Sequence, residues 1–246
     1  MKIFELADKH VGKPCFIVGA GPSLHFQDLT PLKKHITIAV NSGICKVDFA
    51  NYFVTDDTDV SNWSYFRIDL PKLKSCVSLL YKAKMEKCFN HIKNKIWYDH
   101  KFWYVPKENK YYDEGLVFTK DPKKPIIGAR TSTGSAIHLA HIMGCDPIIL
   151  LGSDCCYAGN KRYFWQFEGE KKPYRLDRKT NFCAPNHGRI GGKPVDHHSI
   201  AFIDYFKNLA RHAENQNINI INASGGILEC FKKEKYEALL KRLDND

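Results

Sequence analysis

No apolar run in this chain approaches the roughly 20 residues that a membrane-spanning helix requires, so the sequence excludes a helical span. No internal repeat or low-complexity segment appears, which removes repeat architectures from consideration. The even cysteine framework of a small secreted domain is missing: the nine cysteines are odd in number and scattered. Cys15, Cys145, Cys155 and Cys156 lie in or beside apolar stretches, where a thiol behaves as a small hydrophobe, and a reducing cytoplasm is the expected setting. Cys183 and His187 have C-x3-H spacing, but no second pair with metal-ligand spacing accompanies them, which weakens a structural zinc reading. G-x-S-x-G, H-E-x-x-H and P-loop signatures are also lacking. The first ten residues contain acidic side chains and no long apolar core, so they do not read as a signal peptide.

What is present describes an ordinary soluble globule. The 246 residues are 43% hydrophobic and 26% charged, consistent with one α/β domain spanning 1–246. The formal charge of +10 permits an anionic partner such as DNA, a membrane surface or a polyphosphate-bearing donor. The surplus is spread over residues 82–95, 107–124 and 161–178 and is not gathered on one basic helix, so a solvated lysine-rich face stands as the plain alternative.

Apolar strands are expected at 14–18, 36–40, 52–55, 76–81, 147–151 and 218–221, separated by helix-length segments that imply a parallel sheet. Helices are expected to open after Pro22-Ser23 and to span 132–143, 198–214 and about 232–243. The fold class is therefore α/β, a Rossmann-like, mostly parallel sheet with helices on both faces. Residues 82–127, rich in aromatics and lysines without clear periodicity, read as an insertion. Residues 155–197 are too long for a plain connection and read as a lid or acceptor loop.

The strand ends carry the candidate chemistry. Gly19-Ala20-Gly21-Pro22-Ser23 departs from the dinucleotide fingerprint, because Leu24 stands at the third glycine position and Pro22 removes one N–H. Two glycines still let the backbone approach a phosphate, and the following turn offers N–H groups. Asn41 can bond a base or ribose, or simply cap a turn. Asp56, Asp57 and Asp59 can hold ribose hydroxyls or, through Asp57 and Asp59, a divalent metal against a diphosphate; helix capping is the alternative. Ser132, Thr133 and Gly134 offer a second anion cradle or an N-cap. Gly152 ends a buried strand and leaves Asp154 over the sheet edge, poised for a ligand hydroxyl or for a cap. Downstream, His187 and His198 titrate near neutrality and can deprotonate an acceptor. Tyr157, Tyr163, Lys161 or Arg162 can stabilise a leaving phosphate.

In order, the segments Phe16-Ile-Val-Gly-Ala-Gly-Pro-Ser-Leu24, Asn41-Ser-Gly43, Thr55-Asp-Asp57, Thr131-Ser-Thr-Gly134, Ile149-Leu-Leu-Gly-Ser-Asp154 and Ile220-Ile-Asn-Ala-Ser-Gly-Gly226 resemble one clan. It holds the motility accessory factor glycosyltransferases, the bacterial α-2,3-sialyltransferases and the 6-hydroxymethylpterin pyrophosphokinase-like proteins, with phage-encoded members. The likeness covers residues 14–60 and 128–230. It implies a nucleotide-sugar donor over Gly19–Ser23, Asn41 and Thr131–Gly134. The sialyltransferase turn is G-N-G-P-S-L, whose asparagine contacts the donor; Ala20 replaces it here. Those enzymes need no metal, which opposes the Asp57/Asp59 reading. They use a histidine base, matched by order to His187 or His198, and tyrosines on the leaving phosphate, matched to Tyr157 or Tyr163. The expected activity is glycosyl transfer to an acceptor hydroxyl, with a hydroxymethylated base in phage-type DNA as one candidate acceptor. The alternatives are an ATP- and Mg-dependent pyrophosphokinase and a non-catalytic nucleic-acid-binding module.

Overall fold

The computed structural model describes residues 3–81, 89, 91–101, 104–105, 110–111, 118–128, 131–168, 173–177 and 188–245. Eight strands form the central sheet: β1 (Cys15–Val18), β2 (Ile36–Val40), β3 (Tyr52–Thr55), β4 (Val77–Tyr81), β5 (Lys95–Tyr98), β6 (Ile148–Leu151), β7 (Ile220–Asn222) and β8 (Lys232–Lys233). Their spatial order is β8-β7-β6-β1-β2-β3-β4-β5, and every pairing in this sheet is parallel. The chain winds outward from β1 to β5, then crosses back to β6 on the other side of β1. That reversal is the topological switch point, where open α/β sheets bind ligands beyond the carboxyl ends of their strands.

Burial on both faces explains why the central strands are continuous apolar runs. All four residues of β1 and of β6 are buried. Cys15 and Ile17 point into one core, Phe16 and Val18 into the other. The first core is roofed by α1 (Ser132–Ile142) and α2 (His197–Asn215), through Ala136, Leu139, Phe206 and Leu209. The second is covered by short turns and by α3 (Tyr236–Leu243).

Three expectations shift. The helix expected after Pro22-Ser23 is a five-residue 3-10 turn, Pro22–Phe26, followed by another at Thr30–Lys34 that again starts around a proline. Residues 82–127 are not an insertion throughout, because Lys95–Tyr98 pairs with β4 and completes the sheet edge. Its inward residues, Ile96 and Tyr98, are buried, whereas Lys95 and Trp97 on the other side are half-buried, which dilutes the apolar pattern. The terminal helix starts at Tyr236, after Lys232–Lys233 has joined the sheet.

Candidate functional site

Beyond the carboxyl ends of β1, β2, β3 and β6 lies a cleft of about 830 Å³. Its floor is built by backbone crossing between strands. The Gly19 amide donates to the Leu151 carbonyl and the Gly21 amide to the Gly152 carbonyl, both at 2.8 Å. A Cβ on Gly19 would lie 2.6 Å from that Gly152 oxygen, so glycine is required by the approach of the two strand ends. Gly152 itself has φ 62°, and a side chain there would run into Leu24.

Gly19, Ala20, Gly21, Pro22, Asn41, Asp56, Asp57, Asp59, Ser132, Thr133, Gly152, Asp154, Tyr163 and His198 all line this one cleft. Three predicted residues stand elsewhere. Ser23 faces Asp154, donating to its Oδ2 from both the backbone amide and the hydroxyl at 3.0 Å. Gly134 lies within α1, and its amide is already used by the Thr131 hydroxyl, which caps that helix at 2.8 Å; it cannot serve an anion cradle. Tyr157 is a correction too: its hydroxyl is buried and donates to Asp196 Oδ2 at 2.8 Å. His187, and with it Cys183, falls outside the described residues.

The acidic run behaves in three ways. Asp56 is a structural knot. Its carboxylate accepts from Tyr98 and, at 2.6 Å, from Ser135, while its amide donates to Ser132 Oγ at 2.9 Å. Asp57 caps the next turn by accepting from the Asp59 amide at 2.8 Å. Asp59 receives Arg175 on both oxygens, at 2.5 and 3.0 Å, and the guanidinium holds its carboxyl below the usual range. These donors do not fit a divalent cation: the expected Asp57/Asp59 pair would have to give up the Arg175 fork. Among the described residues no group of three histidine, cysteine or acidic side chains is placed to hold a metal.

Asp154 differs from these. It is 2% exposed, and burial raises its carboxyl above the ordinary value despite the Ser23 hydrogen bonds. The Gly225 amide also favours the charged carboxyl, without outweighing burial. Three buried cleft atoms, Asn41 Oδ1, Ser153 Oγ and Asp154 Oδ1, lack a hydrogen-bond partner among the described residues. Buried polar groups ordinarily have partners. Asn41 also adopts φ 50°, a left-handed backbone that asparagine tolerates better than most residues.

The opposite wall is aromatic and cationic, and sequence reasoning had only Tyr163 and Arg162 from it. Tyr163 stacks on Trp165, with ring centroids 5.1 Å apart and planes 9° apart, and Trp63 adjoins Trp165 at 5.6 Å. Trp165 is fixed by donating to Ser42 Oγ at 3.2 Å. Arg175 lies 5.6 Å over Trp63 and ties segment 173–177 to the β3 loop through Asp59. The third side is the first turns of α2, where His198, Ser199, Phe202 and Phe206 face the cleft. Burial, then His197 and Arg162, lower the His198 pKa, which favours the neutral ring. The cleft thiols are poor nucleophiles: burial pushes Cys156 up to about 11 and Cys155 higher still.

Chemically, the cleft presents glycine-turn backbone, the N-terminal turns of two helices, an aromatic wall and one buried carboxylate. The parallel sheet with its switch-point cleft defines a Rossmann-like α/β protein. Residues 2–160 match the family described as 6-hydroxymethylpterin diphosphokinase MptE-like, and the chain belongs to that family. Among solved structures, the fold is similar to the MAf glycosyltransferase from Magnetospirillum magneticum AMB-1, with a TM-score of 0.55 and 11% identity. The match covers 99% of this chain and 40% of that one, so the chain spans about two-fifths of that protein. No curated protein matches the sequence. No helix among the described residues is long and apolar enough to cross a membrane.

Proposed function

We propose that the protein is a glycosyltransferase that moves a sugar from a nucleotide-sugar donor to an acceptor hydroxyl. The observation that carries the reading is the grouping of Asn41 Oδ1, Ser153 Oγ and Asp154 Oδ1, buried and unpartnered, in the switch-point cleft. A ligand bearing hydroxyl and N–H groups would satisfy them, as a nucleoside and a sugar do. The close backbone approach that Gly19 and Gly21 allow, and the dipoles at the starts of α1 and α2, suit the phosphates. Fold likeness to the MAf glycosyltransferase adds an argument by analogy.

In this scheme His198 takes the acceptor proton as the acceptor oxygen bonds to the anomeric carbon. The bond from that carbon to the phosphate oxygen breaks, and the electron pair leaves with the nucleotide. Asp154 orients a sugar hydroxyl. The formal charge of +10 favours an anionic acceptor, of which a hydroxymethylated base in DNA is one. A cytoplasmic setting accords with buried free thiols.

The test is incubation with UDP-, GDP- and CMP-sugars and candidate acceptors, with donor consumption followed. No binding or hydrolysis across the panel counts against the proposal. The family match supports a second reading, an ATP-dependent diphosphokinase. ATP binding that requires Mg²⁺, together with indifference to nucleotide sugars, selects that reading.

A further inference from the structure

A second surface lies just outside the cleft, on two short turns that share its rim. The 3-10 turn Pro22–Phe26 starts at a cleft residue, and a further 3-10 turn, Phe164–Phe167, carries the cleft residue Trp165. The Phe164 amide donates to the Ala20 carbonyl at 3.1 Å and ties the two together. At their outer ends three rings meet. His25 stacks on Phe167, with centroids 4.7 Å apart and planes 14° apart. Phe26 stands across both, 4.9 Å from His25 at 80° and 5.6 Å from Phe167 at 69°. A ring that close beside a stacked pair, and steeply inclined to it, fits by laying one face on the edges of the pair. Phe26 is 72% exposed, so its other face is open to solvent. A lone exposed phenylalanine needs no explanation; this one is the outer leaf of a braced cluster.

The cluster carries a cation. Lys161 Nζ lies 4.4 Å from the Phe167 centroid and donates to the Gln166 carbonyl at 2.9 Å, which uses one of the ammonium's N–H groups. Its neighbour Arg162 turns to Asp196, the residue that caps α2, at 2.9 Å. The acidic residues that flank the rings in the chain are engaged as well, Glu168 with Lys46 at 3.8 Å and Asp28 with the Thr30 amide at 3.0 Å. An exposed ring face beside a lysine, on a chain of formal charge +10, matches the pattern of stacking plus positive charge by which proteins hold single-stranded nucleic acid. From Pro22 to Phe26 the 3-10 turn rises about 8 Å, the length of roughly two stacked nucleotides.

We infer that Phe26 is a stacking platform for an unpaired base of a single-stranded nucleic-acid acceptor, and that Lys161 contacts the adjoining phosphodiester. This rests on the transfer reading above and adds the acceptor's class and the surface that holds it. The stacked base is a neighbour of the reacting one, which enters the cleft.

The experiment measures binding of a fluorescein-labelled single-stranded DNA oligonucleotide by anisotropy, and of nucleotide sugars by titration calorimetry, using the full chain. Wild type binds the oligonucleotide, more weakly as salt rises. Phe26→Ala lowers that affinity about 5- to 150-fold, the worth of one base–aromatic stack, and leaves nucleotide-sugar affinity unchanged. Phe26→Trp keeps the affinity, since the larger ring offers the same face; Phe26→Leu, apolar but without a flat ring, loses it. Lys161→Ala weakens binding and makes it less dependent on salt. Because Phe26 is mostly exposed, its variants fold as wild type does. Unchanged oligonucleotide affinity in Phe26→Ala overturns the inference. So does a wild type that binds nucleotide sugars but no oligonucleotide, or a Phe26→Ala variant that loses affinity for an uncharged oligosaccharide and not for the DNA. Oligonucleotide binding that depends on Phe26, in a protein that binds no nucleotide sugar, supports this surface and overturns the function proposed above.

Discussion

Gly21 offers a test in which two effects of opposite sign compete. Its backbone sits at φ −64° and ψ 158°, a conformation any residue adopts. Alanine there therefore gains the usual benefit of a stiffer unfolded chain, roughly 0.4–1 kcal/mol. Against this, the new Cβ would lie 2.6 Å from the Gly152 carbonyl oxygen and inside the Asp154 carboxylate. The carbonyl belongs to the backbone just past β6 and has little room to yield, because Gly152 is itself wedged against Leu24. Overpacking of this kind costs about 1–3 kcal/mol, and straining the 2.8 Å Gly21–Gly152 hydrogen bond adds about 1 kcal/mol. The clash wins, and Gly21→Ala should destabilise by about 2–3 kcal/mol. For a chain of this size that lowers Tm by roughly 4–12 °C, readable by circular dichroism melting. An alanine variant that melts at or above the wild-type temperature refutes the claim that the two strand ends are locked together under the cleft.

Further outcomes follow from the same geometry. Asp154 has a raised carboxyl pKa, so the folded state binds a proton more readily than the unfolded chain. Its contribution to stability is then lost as pH rises from about 4 through the folded value. The difference in stability between Asp154→Asn and wild type should move in favour of the variant between pH 4 and 7, as urea titrations at each pH would show; a flat difference contradicts the assignment. The His198 pKa is lowered, so the acid limb of kcat/KM should fall below about pH 6.5. His198→Gln should remove that limb and slow transfer about 10²- to 10⁴-fold. Arg175→Lys should cost roughly 1–2 kcal/mol by losing a planar fork shared by two carboxylates. In an Asp59→Asn background the same change should cost less, as a double-mutant cycle would measure.

The strand ends are legible in the sequence because burial on both faces makes β1 and β6 unbroken apolar runs and leaves one threonine each in β2 and β3, and parallel strands bring their carboxyl ends to one edge. Gly19–Pro22, Asn41, Asp56 and Gly152 therefore meet in space even though up to about 130 residues separate them. Edge strand β5 is hidden by Lys95 and Trp97. The second face is hidden because prolines 22, 31 and 71 break its cover into 3-10 turns. Within the site, the long-range partnerships leave no local trace. Segment 173–177 reaches Trp63 through a bridge from Arg175 and mutual hydrogen bonds between Ser64 and Tyr174, and nothing in either segment's spacing announces the other. Asp196 reads as an ordinary helix cap; its second engagement, with Tyr157 and Arg162, appears only in three dimensions. The Asp57/Asp59 motif illustrates the reverse: spacing alone suits a metal, and a distant arginine uses one of the two carboxylates.

The most direct test of the switch-point cleft is hydrogen exchange of the backbone amides with and without a saturating nucleotide or nucleotide sugar. Protection should appear together at 19–23, 131–134 and 152–154 and at the first turn of α2, with the remaining strands unaffected. Protection confined to another surface, or none at any nucleotide tested, would contradict the account.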